Sequence, residues 1–313
     1  MKHIFILNPM AGSGKKLEET RKKIEQSGLD YTVYETKAPK DATSFVRDFC
    51  AAHPTEELRF YACGGDGTVN EVAAGTVGFE NASLSACPIG SGNDFVKYYG
   101  GADNFADPVR LASAPARPVD ILSVNDDYAV NVLNFGFDAS VAATMQKVKR
   151  MPLLGGKHAY TTGIVHSLFH AMKTRAKLVG DGKLLFDGEF LLCTVSNGAY
   201  VGGAFHCAPR AENDDGYMEF CLIRPVSIPR FLSILDPYKQ GLHLQDPRFS
   251  DILIYCRVKT LEVTFDKPQP ICLDGENRVV TAFTATCLPG AVRFAAPADA
   301  KLHAEPQFVG ANG

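Results

Sequence analysis

A glycine-rich turn is the feature that most constrains what this chain can fold into. Residues 64–71 read GGDGTVNE, and they stand directly after the apolar run 58–63 and directly before a helix-like segment. A strand, a glycine turn and a helix in this order are typical of a parallel α/β sheet, whose ligands bind beyond the carboxyl ends of the strands. Three glycines in four positions let backbone amides approach a polyphosphate, and the helix start adds its positive dipole end. The turn therefore predicts a phosphate-binding edge of a parallel sheet.

The aspartate inside this turn, Asp66, indicates a metal as well. A carboxylate brings no advantage to a bare anion site, whereas a divalent cation held between it and the phosphates would account for it. The structural alternative is an ordinary glycine turn between a strand and a helix. A second turn, residues 88–95 (PIGSGNDF), weighs against this alternative, because it also follows an apolar run and would face the same crevice.

A third glycine-containing segment, residues 8–15 (NPMAGSGK), joins the first apolar run to a helix-like segment. It is not the phosphate loop GxxxxGK[ST], because no glycine stands five residues before Gly14 and Lys16 occupies the position that requires Ser or Thr. This segment is therefore weaker support for the same strand edge.

The hydrophobic pattern divides the chain into two parts. Up to about residue 120, strand-like runs (3–7, 31–35, 58–63 and 84–89) alternate with helix-like segments (15–27, 41–53 and one from 70), as in an open α/β sheet. Beyond it, strand-like runs (121–124, 128–133, 190–196, 218–223, 257–265 and 271–273) predict a mainly antiparallel β domain, interrupted by a helix at 161–173. We assign 1–121 to the α/β domain, with a returning tail 289–313 that carries a short strand at 292–295, and 122–288 to the β domain.

Composition narrows the class of protein. A chain of 313 residues, 46% apolar and 21% charged, is expected to form two packed globular units. The net charge of -3 argues against a nucleic-acid partner, and the nine scattered cysteines indicate buried thiols in a reducing compartment. No apolar run reaches the ~20 residues of a membrane span, and the first strand-like run leaves no room for a signal peptide. The expected location is cytoplasmic.

Taken together, the motifs resemble the diacylglycerol kinase catalytic-domain superfamily, which includes bacterial soluble diacylglycerol kinases and the sphingosine and ceramide kinases. The resemblance runs through nearly the whole chain in the family's order. The matching segments are Asn8-Pro9 with Gly12 and Gly14, 64–71, 90–94 (GSGND), Asp120, 134–139 (NFGFDA), Asn197-Gly198, Gly202-Gly203, 214–217 (DDGY) and 274–276 (DGE).

The resemblance implies an open α/β nucleotide domain similar to those of NAD kinases and phosphofructokinases, a mainly antiparallel β-sandwich domain for the lipid, and an active site in the cleft between them. It implies an ATP-dependent lipid kinase, with diacylglycerol as the first candidate acceptor and phosphatidic acid as its product. ATP would be bound by Asn8, Pro9, Thr36, Gly64, Gly65, Asp66, Gly67, Thr68, Asn70, Glu71, Gly90, Ser91, Gly92 and Asn93. Asp66, Asp94 and Asp120 would organise the catalytic Mg²⁺.

The resemblance also implies that Glu276 takes the proton of the acceptor hydroxyl, while Asp66 serves catalysis through the metal. A carboxylate on a turn that faces the nucleotide can orient a neutral alcohol for in-line attack. On the sequence alone, a solvated turn glutamate is an equally good interpretation of Glu276.

A second, structural Mg²⁺ is implied for the acidic loop 212–217 (ENDDGY). Asp215 would bind it through the side chain, and Glu212 and Tyr217 through their backbone carbonyls, since hard cations prefer oxygen ligands. The alternative is an ordinary Asp-Gly hairpin turn.

The acceptor lipid stays open at this level. Many bacterial diacylglycerol kinases carry two threonines where this chain has Ser91-Gly92, and the GSGN form also occurs in sphingosine and ceramide kinases. A basic cluster could rest on an anionic inner membrane surface and make the enzyme peripheral there, although a solvated face is the commoner meaning of such a cluster. The cluster comprises Lys147, Lys149, Arg150 and Lys157. A homodimer is also left open.

Two other functions are alternatives at the level of sequence. An NAD kinase or sugar kinase would need a polar acceptor pocket, and the long apolar stretches of the second domain weigh against it. A non-catalytic lipid- or nucleotide-binding protein of the same fold would need no general base. The presence of Asp66, Asp94, Asp120 and Glu276 weighs against that function.

Overall fold

The computed structural model describes residues 1–90, 92–137, 139–140 and 173–303. Its amino-terminal part is a parallel sheet covered by helices. The elements are β1 (Lys2–Leu7), α1 (Gly14–Glu25), β2 (Tyr31–Glu35), α2 (Asp41–Ala52), β3 (Leu58–Gly64), α3 (Asp66–Thr76), β4 (Ala82–Pro88), α4 (Asp94–Lys97), a 3-10 turn (Ala102–Phe105) and α5 (Pro108–Ala112). The strands lie in the order β2-β1-β3-β4, and every neighbouring pair is parallel. The predicted α/β fold is confirmed.

Continuous apolar runs form the two central strands of this sheet. The last four residues of β1 and all seven residues of β3 are buried, which is typical of parallel strands covered by helices on both faces. Helix α2 turns Ala42, Val46 and Cys50 inward at helical spacing. Helix α3 begins directly after β3, with Gly65 as its N-cap residue. The glycine turn is thus the strand-to-helix connection that the sequence predicts.

The carboxy-terminal part is mainly antiparallel. Its elements are β5 (Ala116–Val124), β6 (Asp127–Ala129), β7 (Val132–Gly136), β8 (Thr174–Gly180), β9 (Lys183–Phe190), β10 (Leu192–Ser196), β11 (Met218–Ile223), α6 (Ile228–Lys239), two 3-10 turns (Leu242–Leu244 and Pro247–Phe249), β12 (Leu253–Val258), β13 (Thr260–Leu273) and β14 (Glu276–Ala295). Strands β12-β11-β10-β7-β13-β14 lie side by side, and the β8–β9 hairpin extends from β13. This is the predicted β-sandwich-like domain, and its core contains Phe135, Phe190, Phe220, Phe265 and Phe283.

Strand β14 connects the two parts. It pairs with β13 and β5 in antiparallel fashion, and its end reaches β4, where Phe294 pairs with Leu84 in parallel. The strand predicted at 292–295 is therefore the last part of β14. The domain limits themselves, 1–121 with 289–313 and 122–288, stay a prediction.

Other expectations have mixed outcomes. The structure also contains helix α6 and the β8–β9 hairpin, which the sequence pattern does not predict. The helix predicted at 161–173 falls almost entirely outside the described residues, as do the four basic residues of the predicted membrane-facing cluster. Eight of the nine cysteine side chains are buried, and Cys256 is partly buried. In the described ranges, no helix combines the length and the apolar character that a membrane span requires.

Candidate active site

Three loops meet at the carboxyl edge of the parallel sheet. Ile89 and Gly90, after β4, donate their backbone N–H groups to the carbonyl oxygen of Gly64 at 2.9 and 3.1 Å. A Cβ atom on Gly90 would lie 2.6 Å from the Cα of Gly65, and one on Gly12 would lie 1.9 Å from the carbonyl oxygen of Ile89. Only glycine permits such backbone contact. The two glycine turns therefore face one crevice, as predicted, and the loop after β1 joins them.

Polar side chains fix the loop after β1 against the glycine turn. Asn8 donates its amide to the hydroxyl of Thr68 at 3.0 Å, and its carbonyl oxygen accepts from the N–H of Met10 at 3.0 Å. Thr36 lies at the end of the neighbouring strand, where its N–H donates to Leu7. Asn8, Thr36 and Thr68 therefore lie at the same sheet edge as the turn 64–68, and exposed Pro9 stands beside them. Their contacts to a nucleotide stay predictions.

The carboxylates of Asp66 and Asp94 converge beside the second glycine turn. A Cβ atom on Gly92 would lie 3.0 Å from Oδ2 of Asp66 and 3.7 Å from Oδ2 of Asp94. Burial, together with the charge of Asp94, raises the pKa of Asp66 to about 6, although the N–H of Phe95 donates to Oδ1 at 3.0 Å. Two partly desolvated carboxylates at one point repel each other, and a divalent cation would relieve that repulsion. Asp66 and Asp94 would supply two carboxylate ligands to the predicted Mg²⁺, whose place here stays a prediction.

Asp94 also joins the second glycine turn to the β domain. Its two carboxylate oxygens accept from the N–H of Gly203 at 2.9 and 3.1 Å, and Oδ1 accepts from Lys97 Nζ at 2.6 Å. Lys97 in turn donates to the carbonyl oxygen of Gly203 at 2.7 Å. Asp94 therefore has a structural role besides its predicted metal role. Asn93, which precedes it, donates its side-chain amide to the carbonyl oxygen of Gly90, and Ser91 lies outside the described residues.

Asp120 is held by a different set of partners. Its buried carboxylate accepts from the N–H groups of Gly216 at 2.6 Å and Gly290 at 2.7 Å. These contacts tie β5 to the acidic loop and to β14. They explain the burial of Asp120 without a metal, and its predicted place in the catalytic Mg²⁺ network stays a prediction.

The second half of the glycine motif contacts other elements. Asn70 donates to the carbonyl oxygen of Tyr128 at 2.9 Å and accepts from the N–H of Val130 at 3.1 Å. Glu71 accepts from the N–H groups of Lys40 and Ala42 at the start of α2, at 3.0 and 3.2 Å. These side chains therefore assemble the site around the turn, and direct nucleotide contact by Asn70 and Glu71 stays a prediction.

Asp274 is a site residue that sequence reasoning missed. Its carboxylate accepts three backbone N–H groups, from Val130 at 2.8 Å, Asn131 at 3.1 Å and Val132 at 2.7 Å. Val130 thus donates both to Asp274 and to Asn70. The helix that carries Asp66 and the turn that carries Glu276 are therefore joined through one backbone segment. The sequence signal for Asp274 is its place in the Asp-Gly-Glu turn, since aspartate is common in turns. In the structure Asp274 has a positive φ of 45°.

Glu276 is the first residue of β14 and lines a cavity of about 220 Å³ between the two parts of the chain. Lys40, Asn70 and Glu71 line it from the α/β side, and Asp127 and Arg278 from the β side. Oε2 of Glu276 accepts from Arg278 at 2.8 Å. The predicted general base is thus located in a cleft against α3 instead of at an open turn.

Comparison with known proteins decides the family. A family model described as the diacylglycerol kinase catalytic domain matches residues 2–124, and one described as the YegS C-terminal NAD kinase beta sandwich-like domain matches residues 131–296. The chain belongs to the diacylglycerol kinase catalytic-domain superfamily. A "probable lipid kinase YegS-like" of Chromohalobacter salexigens is 30% identical to this kinase, over 95% of this chain and 94% of the relative.

Two further relatives agree. The diacylglycerol kinase of Bacillus subtilis is 28% identical, over 87% of this chain and 88% of its own. The crystal structure of a diacylglycerol kinase from Bacillus anthracis aligns with a TM-score of 0.69 and 20% identity, over 96% of this chain and 98% of that one. The structural likeness supports the fold of this lipid kinase, and the sequence likeness supports its family.

The acidic loop of this kinase is already paired with a positively charged side chain, that of Arg257 on β12. Asp215 accepts from the N–H of Tyr217 at 2.9 Å and forms an ion pair with Arg257. Nε of Arg257 also lies 3.4 Å from a carboxylate oxygen of buried Glu219, and its guanidinium stands 4.8 Å from the ring centre of Tyr217. Within the described part of the chain, no three His, Cys, Asp or Glu side chains converge as a metal site. Arg257 thus occupies the one side chain that would bind the predicted structural Mg²⁺, whose place at Glu212, Asp215 and Tyr217 stays a prediction.

A magnesium ion could bind this loop only by displacing Arg257 from Asp215. We therefore expect Mg²⁺, added without nucleotide, to raise the melting temperature of Arg257→Ala more than that of the wild type, because ligand binding stabilises the folded state by linkage. Asp215→Ala should show the smallest rise. Thermal melts of the three proteins with and without Mg²⁺ check this, and equal shifts in all three would mean that the loop binds no ion.

Asp274 predicts a pH dependence of stability. Burial raises its pKa from the usual 3.8 to about 7 against its amide hydrogen bonds. The folded protein therefore keeps this proton up to about pH 7, whereas the unfolded chain loses it near pH 4. The proton thus stabilises the folded state fully below pH 4, and this stabilisation is lost as the pH rises through 7. From pH 8 to pH 6 the wild type should gain about 1 kcal/mol of unfolding free energy relative to Asp274→Asn. Urea unfolding at both pH values measures it; a pH-independent difference would contradict it.

Proposed function

We propose that this protein is an ATP-dependent lipid kinase that phosphorylates a hydroxyl group of a membrane lipid at the inner membrane surface, with diacylglycerol as acceptor and phosphatidic acid as product. The observation that carries the proposal is the common attachment of Asn70 and Asp274 to Val130. It brings the helix of the glycine turn and the turn of Glu276 to one cleft. The name of the Bacillus subtilis relative supports diacylglycerol as the acceptor.

Each part of the cleft has a chemical task in this proposal. The backbone amides of the glycine turns and the start of α3 bind the polyphosphate of ATP. Asp66, with Asp94 beside it, would hold Mg²⁺, which would supply neutralising charge for the β- and γ-phosphates. Glu276 accepts the hydroxyl proton as the lipid oxygen forms its bond to the γ-phosphorus and the bond from that phosphorus to the bridging oxygen of ADP breaks.

A transfer assay tests the proposal. The purified protein would be incubated with labelled ATP, Mg²⁺ and mixed micelles that contain diacylglycerol, sphingosine, ceramide or phosphatidylglycerol, with NAD and glucose as soluble acceptors. Label in phosphatidic acid is the expected result. Label in another lipid would support a lipid kinase with a different acceptor. Label in NAD or glucose alone, or no label at all, would contradict the proposal.

A further inference from the structure

A chain of ion pairs runs from the proposed base to the other side of the cleft. Nη2 of Arg278 donates to Oε2 of Glu276 at 2.8 Å, and its Nε donates to Oδ2 of Asp127 at 3.2 Å. The other oxygen of Asp127 accepts from Nζ of Lys40 at 2.6 Å. Glu276 and Arg278 lie two residues apart on β14, so strand alternation places them on the same face.

The far end of this chain is anchored on the glycine-turn helix. The backbone N–H of Lys40 donates to Glu71, which belongs to α3, the helix that begins with Asp66. The sequence of contacts is therefore Glu71, Lys40, Asp127, Arg278 and Glu276. It connects the nucleotide side of the cleft to the acceptor side through side chains of both parts of the molecule.

Stability alone does not explain the arrangement. The side chains of Arg278, Glu276 and Asp127 are about one-third exposed, at 34%, 30% and 29%, and Lys40 is 58% exposed. Ion pairs with this much solvent contact contribute little to folding. Burial opposes ionisation of Asp127, but the hydrogen bonds from Lys40 and Arg278 outweigh it and lower its pKa. A charged Asp127 therefore stays available to hold the planar fork of Arg278 in one orientation.

That orientation matters for a general base. The side chain of glutamate rotates about three bonds, whereas proton transfer needs its carboxylate within hydrogen-bonding distance of the reacting hydroxyl. Arg278 binds Oε2, which leaves Oε1 to accept the proton. The cavity of about 220 Å³ lies at this point, and Glu276 and Arg278 both line it.

We propose that Arg278 is a positioning residue, which aims the carboxylate of Glu276 at the acceptor hydroxyl and is itself oriented by Asp127 and Lys40 from across the cleft. This inference rests on the proposed function, because it assigns Arg278 a role only through Glu276. It accounts for the position of Arg278 beside the proposed base, because a guanidinium group can fix the orientation of a carboxylate as well as pair with its charge.

A double-mutant cycle tests the inference in the full-length protein. Arg278→Met should lower kcat by about 10- to 100-fold, the cost of a misplaced catalytic group, while nucleotide affinity and melting temperature stay near wild type. In the Glu276→Gln background the same substitution should cause no further loss, because Arg278 would have no base to orient. Arg278→Lys should recover part of the rate, and Asp127→Asn should lower kcat less than Arg278→Met does.

The matched control is Arg175→Met. Arg175 also bridges two carboxylates, Asp187 and Asp266, but it lies on β8, outside the residues that line the cavity, and its loss should leave kcat unchanged. The inference is overturned if Arg278→Met turns over at the wild-type rate, or if its loss persists in full in the Glu276→Gln background. A wild-type rate for Glu276→Gln would overturn the inference as well. Failure of the proposed function would instead appear as no lipid phosphorylation by the wild type, so the two failures are distinguishable.

Discussion

Asp66→Ala is expected to abolish lipid phosphorylation while leaving the fold intact. A bound metal supplies several kcal/mol of transition-state stabilisation, so the loss of the carboxylate proposed to bind it should lower kcat by about 1,000-fold or more. The fold should tolerate the change, because burial and the charge of Asp94 raise the pKa of Asp66 to about 6. At neutral pH the cost of keeping this carboxylate ionised offsets the lost hydrogen bond from the N–H of Phe95, so the variant should melt close to the wild type.

Turnover, nucleotide affinity at several Mg²⁺ concentrations and a melting curve check this expectation. Asp187→Ala is the matched control, since this carboxylate lies on the surface in an exposed ion pair with Arg175. The control should retain wild-type turnover and Mg²⁺ dependence. Near-normal turnover of Asp66→Ala with an unchanged melting curve would contradict the assignment of the metal to the glycine turn. A lower melting temperature would indicate that Asp66 has a structural role instead.

The elements predicted well from sequence are those whose signals are local. Strands β1 and β3 are continuous apolar runs, and the turn at Gly64 has few alternatives to a strand-to-helix connection. The meeting of the two glycine turns also follows from adjacent parallel strands. Hairpin β8–β9 was missed because it has mixed exposure, with residues such as Leu184 facing solvent.

The supporting contacts of the site could not be predicted because they join residues distant in sequence. Asp274 and Val130 are 144 residues apart, and Arg278 and Asp127 are 151 apart. No spacing pattern connects them. The same applies to Arg257, whose position opposite Asp215 depends on the register of β11 with β12. Sequence motifs predict the candidate carboxylates, whereas their contacts with residues distant in sequence required the structure.

Glu276→Gln should separate nucleotide binding from chemistry. As the proposed general base, Glu276 would act only when the hydroxyl attacks, so nucleotide affinity should stay near wild type while turnover falls by about 100- to 10,000-fold. Glutamine keeps the shape of the side chain and one oxygen that can accept from Arg278. The hydrogen bonds of Asp274, two residues earlier, do not involve the substituted side chain. A large loss therefore cannot be assigned to packing.

The measurements are kcat with the lipid acceptor and equilibrium binding of ATP in the presence of Mg²⁺. Glu262→Gln is the matched control, because Glu262 is an exposed glutamate on the adjacent strand of the same hairpin, opposite Thr284, and both quantities should stay unchanged in it. If nucleotide affinity of Glu276→Gln fell in parallel with turnover, Glu276 would be a metal or ATP ligand, and the proton would have to leave through Asp66 or water. If neither changed, Glu276 would be a solvated turn residue, and the base would have to be sought among the other carboxylates that line the cleft, namely Glu71, Asp126 and Asp127.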